Sequence, residues 1–178
     1  MKNVKFLLSA ALVFLASAAL AQDFSAPQYA KWGATPEERE QNILNSNFLK
    51  ESCDNRDYDA AAHYLKGLID KIPDAAESIY QRGAVVYKNK INRAKSVAEK
   101  NMFIDSLMLM YDMRAQYFGD NVKPGKTAFI LDQKAREFLR YKPNDRKGIR
   151  EAFRAAIAQG GDSTCLLYTS DAADDLLC

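Results

Sequence analysis

The sequence predicts an all-α fold built from antiparallel helix pairs, and three observations predict it. Apolar residues recur at the α-helical period in one segment after another. No segment alternates apolar and polar residues as a half-buried strand would. The connections between segments are mostly short, which favours antiparallel neighbours. The chain has 178 residues, enough for one domain of ordinary size. Hydrophobic residues make up 48% and charged residues 27%, the balance of a globular chain. A formal net charge of +2 does not by itself point to nucleic acid.

The stretch MKNVKFLLSAALVFLASAALAQ places Lys2 and Lys5 before an apolar run that ends at Ala19-Leu20-Ala21. That is the three-part pattern of a secretory signal peptide over residues 1–21, cut between Ala21 and Gln22. The run falls short of the ~20 residues of a membrane span, so no stable span is expected after cleavage. No cysteine follows the cut, which argues against a lipid-modified N-terminus. The mature chain is expected in the periplasm or outside the cell. Residues 22–34 carry Pro27, Gly33 and the single tryptophan, Trp32, with no helical period, and read as an extended lead-in.

The first helix is expected from Pro36 to about Cys53. Thr35 is its N-cap, Pro36 suits the first turn and Glu38 completes a capping box. Leu44, Phe48 and Ser52 share one face. In the second helix Ala61, Tyr64, Leu65, Leu68, Ile69 and Ile72 form one apolar stripe, with Asp57 as N-cap and Pro73 as the stop. Asp74 is positioned to cap a third helix, with Ile79, Gly83, Val86 and Tyr87 on one side. The fourth runs from Ala94 to Phe118 on a rougher stripe of Val97, Ile104, Leu107, Tyr111, Ala115 and Phe118. The breakers of GDNVKPGK make a loop. A fifth helix from about Thr127 to Tyr141 is expected to turn Leu131, Ala135, Phe138 and Leu139 inward. In the sixth, Ile149, Ala152, Phe153, Ala156 and Ile157 repeat the helical spacing, and Gly160-Gly161 ends it.

Asp57-Tyr58-Asp59, Ala61, Leu65, Leu68 and Pro73 resemble the inter-helix turn, small residue, large apolar residues and closing proline of the tetratricopeptide repeat, whose period is about 34 residues. Ile79 and Gly83 resemble the large and small positions of the next first helix. The resemblance covers roughly Pro36 to Gly161. Leu49 stands where the family has a small residue, and Lys95 and Glu99 stand where it has apolar ones. It implies a domain over residues 35–161 of about three helix pairs, stacked as a short α-solenoid. With the signal peptide, the chain is similar to the periplasmic tetratricopeptide-repeat proteins of Bacteroides-type bacteria.

What the resemblance implies about function is a scaffold that binds a protein or peptide of the cell envelope in a concave groove. The groove would be lined by Ser46, Lys50, Asp54, Glu77, Tyr80, Ala84, Tyr87 and Lys88, with Tyr80 and Tyr87 as main contacts. The rival expectation is an accessory helical domain of a larger envelope enzyme whose chemistry lies beyond residue 164. Residues 162–178 are expected to be unstructured. Cys165–Asp175 resembles a translated sequencing adapter, which implies that the natural sequence continues past Thr164. That leaves Cys53 as the one native cysteine, unable to form an internal disulfide and read as a small buried residue.

The remaining motifs point to no chemistry. A single histidine, His63, on a polar helix face supports neither a catalytic triad nor a zinc site, so no catalytic, cofactor or metal role is assigned. Lys123–Thr127 only superficially resembles a phosphate loop. Met108, Met110 and Met113 read as core filling. Lys88, Lys90, Arg93, Lys95 and Lys100 read as a solvated face, or as a docking surface for an acidic partner. The signal-peptide reading predicts a mature protein beginning at Gln22 when expressed in a Gram-negative host. N-terminal mass analysis checks it, and Met1 retained in the membrane fraction would overturn it.

Overall fold

The computed structural model describes residues 23–160. Within them a 3-10 helix (Pro27–Trp32) precedes six α-helices: α1 (Pro36–Asp54), α2 (Tyr58–Lys71), α3 (Glu77–Arg93), α4 (Val97–Phe118), α5 (Lys126–Tyr141) and α6 (Arg146–Gly160). The all-α fold of adjacent helix pairs is therefore what the structure shows. Each helix packs on its neighbour in the chain, and α1 also reaches α3. The expected signal peptide, the C-terminal tail and Gly161 lie outside the described residues.

The start of α1 follows the expected chemistry. Thr35 Oγ1 accepts from the Glu38 backbone N–H at 3.2 Å, and the Glu38 carboxylate accepts from the N–H groups of Ala34 and Thr35 at 2.8 and 3.4 Å. The lead-in, however, is not extended. The Arg39 guanidinium donates to the carbonyls of Gly33, Phe24, Ser25 and Ala34 at 2.9–3.4 Å, and these bonds fold residues 24–34 back over α1. Asn42 Nδ2 then donates to the Trp32 carbonyl at 2.7 Å. The fold-back also rotates α1 from its expected face. Asn42, Ser46 and Leu49 are buried, whereas Leu44 and Phe48 are exposed at 42% and 36%. An asparagine can occupy the inner face because its amide has a carbonyl to meet there.

The stripe of α2 is as expected: Ala61, Leu65, Leu68 and Ile72 are buried, and Tyr64 and Ile69 are half-buried. Asp57 caps it by accepting from the Ala60 N–H at 3.1 Å. Asp74 does not cap α3. The Ala75 N–H bonds to the Ile72 carbonyl, the chain makes one further turn, and α3 begins at Glu77 after Ala76. The fourth helix starts at Val97 rather than Ala94, because Ser96 Oγ accepts from the Glu99 N–H while Glu99 accepts from the Lys95 N–H. Val97 is then 76% exposed in the first turn, outside the stripe assigned to it. The loop before α5 is closed reciprocally: the Asp120 N–H donates to Thr127 Oγ1, and the Thr127 N–H donates to Asp120 Oδ1.

In α5 the expected inner face is also rotated. Ala135 is buried, but Leu139 is exposed and Leu131 and Phe138 are half-buried. Ala128, Ile130, Asp132 and Glu137 are the other buried residues. Two carboxylates face inward because cations come to meet them: Arg136 bonds Asp132 at 2.8 Å, and Lys88 pairs with Glu137. The stripe of α6 is as expected, with Ile149, Phe153 and Ala156 buried.

The core runs along the stack. One cluster joins Leu49, Ala61, Leu65, Leu68, Ile79, Tyr80, Val86, Met110 and Phe118. A second joins Ala84, Ile91, Ile104, Leu107, Tyr111 and Ile130, and a third joins Ala135, Ile149 and Phe153. Three helices come close together at Gly83. A Cβ there would lie 2.7 Å from Met110 Sδ and 3.2 Å from both terminal carbons of Leu65, so α2, α3 and α4 meet at a position without bulk. Ala61 has no exposed surface, and Ala61→Leu is expected to overpack the core and destabilise the protein by about 1–3 kcal/mol. Ala62→Leu, whose added carbons extend into open space beside α4, is expected to stay within about 0.5 kcal/mol. Denaturant midpoints of the two variants check both outcomes.

Candidate functional site

The residues assigned to the groove from sequence do not form one surface. Tyr80 is 1% exposed; its hydroxyl donates to the Pro73 carbonyl at 2.7 Å, and its ring stacks on Tyr117 and tilts against Phe118. Burial raises its pKa well above the usual tyrosine value. It is a core residue, not a contact residue. Tyr87 lies two turns further on and also faces α4, with its ring 6.5 Å from Phe103. The two tyrosines do share the side of α3 that faces α4, but Tyr80 is enclosed there whereas Tyr87 is only half-buried. Ser46 and Ala84 are buried, each at 8% exposure. Lys50 and Asp54 form an exposed pair on α1 at 2.6 Å, of the kind that contributes little.

Glu77 and Lys88 tie α3 to α4 and α5. The Glu77 carboxylate accepts from Arg114 Nε at 2.9 Å and from Lys126 Nζ at 2.7 Å, and Arg114 also donates to Gln133 Oε1. Burial alone would raise the Glu77 pKa, but the hydrogen bonds from Lys126 and Arg114 outweigh it and hold the carboxyl below its ordinary value. Lys88 pairs with Glu137 Oε1 and hydrogen-bonds Tyr111. Glu137 Oε2 is the one buried side-chain oxygen or nitrogen among the described residues without a hydrogen bond, although Arg140 lies 3.5 Å away. Tyr80, Ala84, Lys88, Tyr111 and Arg114 line a cavity of about 150 Å³ here. Its charged groups are already matched to one another, and its volume falls below the ~300–1,000 Å³ of ordinary ligand pockets.

A larger opening lies on the other side of α3. α2 and α4 flank α3 with no close backbone approach to each other, their side chains meeting over it at Leu65 and Met110, and the groove between them has a volume of about 540 Å³. Its floor is Leu65, Tyr87 and Met110; Ala62 and Ile69 line it from α2 together with the polar His63, Lys66 and Asp70, and Met102, Phe103, Leu109 and Met113 line it from α4. Met102 is 56% exposed, and Leu109, which also borders the opening on the far side of α4, is 52% exposed. Met102, Ser106, Leu109 and Met113 recur at the helical spacing and line the α4 wall. Lys90 reaches the groove over the Phe103 ring, 5.1 Å from its centroid, while paired with Asp59. A wider groove of about 820 Å³ on the far side of α4 is bridged by Lys134–Asp112 at 2.5 Å and Lys142–Asp105 at 3.0 Å.

Of the assigned residues, only Tyr87 lines the α2–α4 groove. The methionines read as core filling divide: Met108 and Met110 are buried, whereas Met113 lines the groove and is joined there by Met102. The signal in the sequence was the second stripe on α4, from Met102 to Met113, on a different face from Ile104, Leu107 and Tyr111. The basic run is no single face: Lys88 turns to α5, Lys90 to Asp59, and Arg93 lies over the Tyr58 ring at 5.0 Å. Comparison with protein-family models, curated proteins and solved structures finds no match for this chain.

The Glu77 cluster generates a pH-dependent expectation. A carboxyl whose pKa is lowered on folding stabilises the protein above its ordinary pKa of 4.5, and that contribution is lost as pH falls through the folded value. Glu77→Ala is expected to destabilise by about 2–3 kcal/mol at pH 7, the scale of hydrogen bonds to charged groups. The difference from wild type should shrink below pH 4.5. Urea denaturation of both proteins between pH 3 and 7 checks it; a difference independent of pH would show that the cluster does not act through ionised Glu77.

Proposed function

We propose that this protein is a secreted or periplasmic protein-interaction scaffold of the tetratricopeptide-repeat type, which binds a segment of an envelope partner in the groove between α2 and α4. One observation carries the reading. Met102 and Leu109 expose more than half of their surface on the wall of a partly apolar groove of about 540 Å³, whereas the other large apolar residues exposed to that degree, Val97, Val122 and Phe129, do not line it. Exposed apolar residues that line one concavity mark interaction sites more often than scattered ones do. Methionines suit such a surface because their unbranched, polarisable side chains adapt to a partner. The basic start, apolar run and Ala19-Leu20-Ala21 of the N-terminal segment support an envelope location. Among the described residues no helix is long and apolar enough to cross a membrane.

Site-specific photo-cross-linking tests the reading. A photo-reactive phenylalanine analogue replaces Leu109 in one variant and Lys147, on exposed α6 surface, in another. Irradiation of intact cells should give a discrete adduct from position 109 and none from 147. Adducts of equal yield and pattern at both positions, or none at 109, would remove the groove as the binding face.

A further inference from the structure

We propose that one end of the helix stack, where α3 and α5 finish and α4 and α6 begin, docks on the surface of an anionic lipid bilayer. The inference goes beyond the groove and does not depend on what the groove binds. Two ion pairs fix which groups share that end. Lys88 of α3 pairs with Glu137 of α5, so the last turns of these two helices lie side by side. Lys142, just past α5, pairs with Asp105 at 3.0 Å, so the α5–α6 turn lies beside the N-terminal half of α4. The α3–α4 and α5–α6 turns therefore share one face of the stack. Beyond the two pairs that face is basic. Lys95 and Lys100 come from its first turn, and Arg140, Arg146 and Lys147 from its second; all are exposed. The ion pairs of the described residues leave out Lys95, Lys100 and Arg146. Arg140 and Lys147 lie 3.5 and 3.9 Å from Glu137 and Glu151, but their side chains are 66% and 82% exposed, so these contacts leave their charge open to solvent.

The carboxylates on this face are Glu99 and Asp145, and both act as helix caps, accepting from the Lys95 and Gly148 N–H groups. The α1–α2 turn at the same end carries Asp54, Arg56 and Asp57 and bounds the patch. At the opposite end the exposed Lys31, Lys71 and Lys123 are offset by Glu37, Glu40, Asp74 and Asp120. Two features say what the basic face meets. First, α6 begins with Arg146 and Lys147 and has no acidic residue in its first turn, whereas α1, α2, α3 and α4 each have at least one. Cations at a helix N-terminus oppose its dipole, so this charge is held at a local cost, and an anion docked there gains from side chains and dipole together. Second, Val97 in the first turn of α4 is 76% exposed, more than any other large apolar side chain among the described residues, and it lies between Lys95 and Lys100 in the chain. An apolar tip among cations suits the bilayer interface, where phosphate headgroups meet the cations and the valine enters the acyl boundary. A nucleic acid offers the cations a partner but gives Val97 none.

The protein purified from an exporting host is sedimented with vesicles of phosphatidylcholine alone, and of phosphatidylcholine and phosphatidylglycerol in equal parts. It should co-sediment with the mixture and not with phosphatidylcholine, and added salt should release it. Lys95→Glu/Lys100→Glu should weaken binding at least tenfold, at about fivefold for each cation lost near an anionic surface. Arg146→Glu/Lys147→Glu should weaken it as much while keeping the thermal midpoint at or above that of wild type, because the reversal suits the α6 dipole. Loss of binding in that variant is then not loss of fold. Val97→Ser should weaken vesicle binding severalfold and leave its salt dependence unchanged. Lys31→Glu/Lys123→Glu makes the same change in net charge at the opposite end, more than a screening length away, and should stay within about twofold of wild type. Equal loss in that control would show a general charge effect and overturn the proposal. So would no co-sedimentation with the mixture, or equal binding to phosphatidylcholine alone. Double-stranded DNA bound more tightly than the vesicles, with Val97→Ser silent in both, would overturn it in favour of a nucleic acid.

Discussion

Gly83 holds three helices against one another, and the rest of the structure is arranged around that contact. Leu65 reaches it from α2 and Met110 from α4; a Cβ on Gly83 would press on Met110 Sδ at 2.7 Å and crowd Leu65 at 3.2 Å. From this point the α3–α4 pair unrolls in opposite directions. Tyr80 meets Tyr117 and Phe118 on one side, and Tyr87 meets Phe103 on the other. The two aromatic contacts are the outcome of one antiparallel register, and that register is set where the backbones approach. Because α3 is drawn under both neighbours, α2 and α4 stand as walls on either side of it. The groove is a consequence of the close approach, not a separate feature.

The far side of α3 is joined differently. α3 and α5 have no close backbone approach, although Ala84 and Ile91 of α3 share an apolar cluster with Ile130 of α5; charged side chains also bridge them, Glu77 to Lys126 and Lys88 to Glu137. Arg114 enters from α4 and shares Glu77 with Lys126. Charged groups that are largely withdrawn from water contribute only when their hydrogen bonds are also met, and here most are. The cluster adds polar ties between α3 and α5 to the apolar packing of α5 on α4. It also leaves the charges on that side largely matched.

Much of the local structure was legible in the sequence because short-range chemistry decides it. The Thr35–Glu38 capping box, the Asp57 cap, the Pro73 stop and the stripes of α2 and α6 depend on residues within a few positions of one another. The small residue at 83 was legible as a place of close approach. The same rules failed where a distant group intervened. Nothing local says that Arg39 will collect four carbonyls from residues 24–34, so the lead-in read as extended. The resulting rotation of α1 was equally hidden. Nothing local marks Asp132 and Glu137 as buried, since carboxylates usually face solvent, and only cations brought to them reverse that preference.

The sequence by itself determined that the chain is helical, where most of its helices begin and end, and that their apolar stripes must pair. Those outcomes follow from periodicity, capping and proline, which act over a few residues. Only the tertiary structure decided which surface stays open. Tyr80 and Tyr87 are two turns apart in any α-helix, but whether that shared side faces a partner or α4 depends on the side from which α4 approaches. Met102 and Leu109 are as apolar as Leu107 and Met110, and the sequence distinguishes them only by their place on the helix. Burial is a property of the assembled stack: it is fixed once Gly83 sets the crossing and the apolar packing and ion pairs of α5 set the last helix pair, and both conditions join residues far apart in the chain.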